Sequence, residues 1–82
     1  MTAADSAELL TRYFGDDPES LDEPLRIISS CEGDVPDRLL LVCGSLVLGH
    51  QVKTRPLATH ETLATYNRFH DEVIPPILVE VG

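Results

Sequence analysis

The chain has 82 residues, with six Lys or Arg against fourteen Asp or Glu and a formal charge of -8. A length of this order holds one domain with a thin stability margin, so residues 1–82 are expected to form a single small acidic domain that an oligomer or partner would help to stabilise. The acidity disfavours direct binding to nucleic acid, which needs a basic surface to displace counterions, and the one long apolar stretch is about half of what a membrane span requires.

The charge is uneven. Residues 1–37 carry ten carboxylates against Arg12 and Arg26, whereas residues 38–82 balance four acids with four bases. Three roles fit the acidic half: a solubilising face, a surface for a basic partner, or mimicry of nucleic acid. With 5% aromatic residues and no Trp, the core must be aliphatic. The first fifteen residues lack a basic segment followed by an apolar one, so the expected location is cytoplasmic and Cys31 and Cys43 are expected to be reduced and packed.

Residues Thr2 to Phe14 read as a first helix, with Ala7, Leu10 and Phe14 on one stripe, Leu9 and Tyr13 widening it, and Asp5, Glu8 and Arg12 opposite. Gly15 suits a left-handed C-cap. After a loop at residues 16–19, Ser20 and Glu23 stand at capping-box spacing, and Leu21, Leu25 and Ile28 predict a short second helix to about Cys31, ended by Gly33. Pro24 would then lie in its first turn.

Asp34, Pro36 and Asp37 signal another helix start. The run Leu39-Leu40-Leu41-Val42-Cys43-Gly44-Ser45-Leu46-Val47-Leu48 that follows is apolar nearly all round, which periodicity alone cannot assign. Its leucines and the start signal favour a buried central helix to about His50, with Gly44 and Ser45 as small residues that admit a close second helix; a buried parallel strand would be richer in Val and Ile. Leu40 to Leu48 resembles a short signature near the C-terminus of folylpolyglutamate synthases, where a strand ends at Gly-Ser and a helix begins. The resemblance covers nine of 82 residues, and no phosphate-binding glycine loop accompanies it. What it implies is confined to the alternative of a strand over residues 39–43.

Gln51 to Leu57 reads as a polar, basic loop whose Lys53 and Arg55 can pair with the acidic half. Thr59 to Ile74 is the last predicted helix, capped by Thr59, with Leu63, Tyr66, Phe69 and Val73 as its stripe and Arg68–Glu72 as an i, i+4 pair. Pro75 and Pro76 stop it. The tail Ile77-Leu78-Val79-Glu80-Val81 is apolar and extended in character, placed either on the core or on a partner.

No residue pattern carries a specific chemistry. His50, His60 and His70 lack metal-ligand spacing, His60-Glu61 has no second His four positions after the first, and residues 16–19 lack a calcium-loop ladder. No nucleophile elbow surrounds Ser45, and burial would quiet Cys43.

The fold expectation is therefore all-α: a small bundle of about four helices with a hydrophobic central helix and an extended C-terminal tail, the alternative being α+β with strands at 39–43 and 77–81. The expected function is a non-enzymatic protein-interaction module, an accessory or regulatory subunit without cofactor or metal. Its candidate partner-binding residues are Asp16, Asp17, Glu19, Asp22 and Glu23 on the acidic side and Ile77, Leu78, Val79 and Val81 in the tail. The partner is another protein, basic if the acidic side is used, or a second copy of the chain; nucleic acid and membrane are not expected. Two alternatives stand beside it: an acidic inhibitor or nucleic-acid mimic of viral or mobile-element type, and a small hydrolase using His70 with Asp71, or Cys43.

Overall fold

The computed structural model describes residues 1–15 and 17–75. They form four α-helices, α1 (Ala3–Phe14), α2 (Pro18–Ser29), α3 (Asp37–Thr54) and α4 (Thr59–Val73), with a 3-10 turn over Pro56–Ala58 between the last two and no strand among the described residues. The all-α expectation holds, and the strand alternative at 39–43 is overturned, because those residues lie in the first half of α3. The tail residues Ile77, Leu78, Val79 and Val81, the strand alternative at 77–81, and Asp16 lie outside the described residues.

Two hydrogen bonds set the direction of α1 against α3. At one end the Val35 amide donates to the Met1 carbonyl at 2.6 Å; at the other Gln51 Nε2 donates to the Phe14 carbonyl at 2.9 Å. The two helices therefore run parallel, and α2 returns between their ends. Gln51 was expected in a loop, yet α3 continues to Thr54 and Gln51 is buried. Its amide meets a carbonyl that the end of α1 leaves without a helical donor, which makes a polar residue acceptable inside.

The helix starts differ from expectation in a consistent way. Asp17, not Ser20, is the N-cap of α2: its carboxylate accepts from the Glu19 amide at 3.2 Å and the Ser20 hydroxyl at 2.8 Å. Pro18 occupies the first helical position, where a fixed φ and a missing N–H cost least, so the Asp-Pro pair starts the helix ahead of the Ser20 signal. Pro24 consequently lies inside the helix, where it is buried rather than in the first turn. Asp34 and Thr59 cap nothing: α3 and α4 begin without a side-chain cap, and the Thr59 hydroxyl donates to the Pro56 carbonyl at 2.8 Å. Gly15 ends α1 at positive φ (+84°) but with an extended ψ of 174°, a conformation that glycine alone adopts readily.

The core is Leu9, Leu10, Phe14, Leu21, Ile28, Val35, Leu40, Cys43, Val47, Phe69 and Val73. Phe69 is fully buried at its centre, with the rings of Phe14, Tyr13 and Tyr66 at centroid distances of 5.3, 6.0 and 6.2 Å. Beneath it lies Gly44: a Cβ at that position would sit 2.4 Å from Phe69 Cε2. Gly44 in the apolar run thus marks a close crossing of α3 by α4, which the small residues were expected to admit. On α4 the buried positions are Thr62, Phe69 and Val73, whereas Leu63, expected in the stripe, is exposed. Glu72 does not serve an i, i+4 pair with Arg68; it accepts a hydrogen bond from the Tyr13 hydroxyl and lies 3.6 Å from Arg12 Nη1, tying α4 to α1.

Candidate docking face on the outer side of α3

The inner side of α3 is Leu40, Cys43, Gly44, Val47 and Gln51, one face of a 3.6-residue period. A run that is apolar nearly all round must then present apolar residues to water as well. It does so at Val42, 47% exposed, and Leu46, 37% exposed, with Leu39 half-buried at their edge and Gly49 and Lys53 continuing the line. These five positions alternate by three and four residues, which is the spacing of a helix–helix seam. At the N-terminal end Pro36, Arg38, Leu39 and Val42 line a shallow hollow. The expectation of a buried central helix is corrected in part: α2 and α4 cover one side of α3, and among the described residues the other side is left exposed at Val42 and Leu46.

Of the predicted acidic residues that are described, Asp17 is the N-cap of α2 and Glu19, Asp22 and Glu23 lie on its first two turns, but several already have partners. Asp17 is held by the cap and by Arg55 at 3.4 Å, the link between the basic segment and the acidic half that the charges suggested. The Ser20 hydroxyl, chiefly, lowers the Asp17 carboxyl below its usual range, with the Glu19 amide and Arg55 acting in the same direction against desolvation. Asp22 pairs with Arg26 at 3.0 Å, Glu19 lies 4.0 Å from His50 Nε2, and Glu23 is exposed. A second groove between α1 and α2 is lined by Ala3, Ala7, Leu25 and Ile28 with the Asp22–Arg26 pair at its rim. That pair leaves its rim without a charge bias.

The catalytic alternatives find little geometry. Cys43 is fully buried, its thiol pushed up by desolvation, and its Sγ lies 3.7 Å from the Pro24 carbonyl. Cys31 is also a free thiol, 3.6 Å from the Ile27 carbonyl. His70 Nδ1 lies 3.8 Å from Asp71 Oδ1, but the pair sits on an open helix surface and not in a cleft. Among the described residues no three His, Cys, Asp or Glu side chains group to hold a metal ion, and no helix is long and apolar enough to cross a membrane.

The residues missed by sequence reasoning are thus Leu39, Val42 and Leu46. Their three-four spacing was present in the run, but a stripe can be told from its background only after the buried face is known. In comparisons with known proteins, no family model, curated protein or solved structure matches the chain.

Proposed function

We propose that this chain is a non-enzymatic interaction module, an accessory or regulatory subunit that binds another protein by receiving one of its helices on the outer face of α3. The observation that supports it is the open seam of Leu39, Val42 and Leu46. Isolated exposed apolar residues are ordinary, but a contiguous line of them along one helix is a recognition surface. Burying such side chains gains roughly 25 cal/mol per Å² of apolar area, and a small domain with one core has much to gain from it.

The acidic side belongs to the same reading in a different role. Its carboxylates on α1 and α2 attract basic surface of the partner beside the docked helix and repel acidic surface, which affects association rate and orientation more than affinity.

The test is site-specific photo-crosslinking in living cells, with the photoreactive residue at Val42 or Leu46 and, as the contrast, at Glu23. The expected result is one discrete heterologous adduct from both seam positions, lost when L46E is added to the Val42 probe, and absent from position 23. Adducts from position 23 alone would show that the acidic surface, not the seam, is the binding face.

A further inference from the structure

We infer that the helix received on this seam is acidic: an amphipathic segment of the partner with apolar residues at alternating three and four spacing and carboxylates flanking them. The inference rests on reading the outer face of α3 as the binding surface, and adds the chemistry of what covers it.

Charge is the first argument. Between Asp37 and Glu61 the sequence has no carboxylate at all, while Arg38, Lys53 and Arg55 fall within that stretch. Arg38 lines the hollow at one end of the seam and Lys53 closes the line at the other, both exposed. Asp37, at 100° per residue, stands on the opposite side of the helix from Leu46. Among the neighbouring elements, Glu19 of α2 reaches α3 only at His50, on the flank. A helix with Glu or Asp beside its apolar stripe meets a cation at each end of the seam. A second copy of this chain does not. Whether two α3 helices paired parallel or antiparallel, Arg38 and Lys53 of one would face the same cations of the other with no carboxylate from either seam between them, a like-charge arrangement that opposes pairing.

Shape is the second. Nothing lies within 4 Å of the position a Cβ would take on Gly49, so the seam has a gap between Leu46 and Lys53 into which a partner side chain can insert.

The experiment uses the full chain and two synthetic helical peptides labelled with fluorescein, both with Leu at the three-four positions, one flanked by Glu and the other by Lys. Fluorescence anisotropy should show the Glu peptide binding at least about tenfold more tightly than the Lys peptide, with the difference shrinking as salt rises. The V42D/L46D chain, checked for unchanged helicity by circular dichroism, should lose that binding. Equal binding of both peptides, abolished by V42D/L46D, would overturn the charge inference while leaving the seam as a binding surface. Failure of both peptides to bind, with seam crosslinks still observed in cells, would overturn it equally. A dimer seen by light scattering and broken by L46D would make the second copy the occupant, and binding to phosphatidylserine vesicles lost in L46D would make it a lipid surface; either result refutes an acidic helix. So would a roughly tenfold gain in peptide affinity from I77D/L78D, which would mean that the chain's own tail covers the seam.

Discussion

Two glycines five residues apart on α3 sit in opposite environments. Gly44 lies under the Phe69 ring, where an added Cβ would come within 2.4 Å of it, and Gly49 faces open space with nothing within 4 Å. Both interrupt a helix that Ala would favour by roughly 1 kcal/mol per site, so helix propensity predicts the same gain at each. Packing separates them. The inner side of α3 is a fitted surface, set by the approach of α4, and the outer side is one that no other element among the described residues fills.

The strongest way to break that contrast is G44A. The Phe69 ring is boxed by Phe14, Tyr13 and Tyr66 and cannot easily withdraw, so overpacking at about 1–3 kcal/mol should outweigh the propensity gain. An approach of 2.4 Å belongs at the upper end of that range, which leaves a net loss of up to about 2 kcal/mol in urea unfolding after the propensity gain, with G44V worse. F69L should restore part of the loss in the G44A background, because the two sites share one volume. A G44A variant more stable than the parent would mean that α4 does not cross here.

Next in size is Q51A. It leaves the Phe14 carbonyl buried without its donor, and loss of a partner from a buried polar group costs about 1–3 kcal/mol. The same variant tests the parallel placement of α1 and α3, since protection of α1 amides from hydrogen exchange should fall more than that of α4. Equal loss in both would place the bond's contribution elsewhere.

These inner-face contacts explain which parts of the fold could be read in advance. Four helices in order follow from the apolar spacing around Leu10, Leu21 and Phe69 and from the start signal before the long run. Start positions were less legible because two signals competed: Ser20 with Glu23 matches a capping box, yet Asp17 ahead of Pro18 acts first along the chain and leaves Ser20 as a buried hydroxyl bonded to the cap. Gln51 looked like a loop residue because the property that makes it acceptable inside, a carbonyl 37 positions away in sequence, is a tertiary fact. The open face was hidden for the opposite reason. An apolar run with no polar side gives no phase to its periodicity, so Val42 and Leu46 could not be told from Leu40 and Val47 until α2 and α4 had taken their side.

A smaller effect, and of opposite sign to G44A, belongs to G49A. With open space around the site, the substitution should raise stability by about 0.4–1 kcal/mol through helix propensity and a less flexible unfolded chain. Differential scanning calorimetry on the pair G44A and G49A reads the two faces directly: opposite shifts in Tm support one covered and one open side, and shifts of the same sign refute it.

Smaller still is the contribution of the Asp17 charge, which links the start of α2 to the end of α3. Its carboxyl titrates below the usual carboxylate range in the folded chain, first because of Ser20, so the unfolded state binds the proton more readily. Stability from this source is complete above the unfolded carboxylate value, near 3.9, and is lost as the pH falls through the lower folded value. D17N keeps a cap acceptor and removes the charge. The parent should therefore exceed D17N in urea midpoint at pH 6, and the gap should close as the pH is lowered from 4 towards 2. A gap that stays constant over that range would assign the whole effect to cap geometry.

The smallest expected effect is L46E, and it bears most directly on what the outer side of α3 is for. Leu46 is 37% exposed and stands outside the core, so it can be made charged with little change, within about 0.5 kcal/mol, whereas the same substitution at the neighbouring buried position Val47 would place an unpaired carboxylate in the core. Unfolding of L46E that matches the parent would mean that nothing within the chain depends on this leucine for its packing. Its presence at the centre of the seam would then be explained from outside the molecule. A clear loss of stability in L46E would instead show that the fold itself depends on this leucine, and the binding role of α3 would have to be given up.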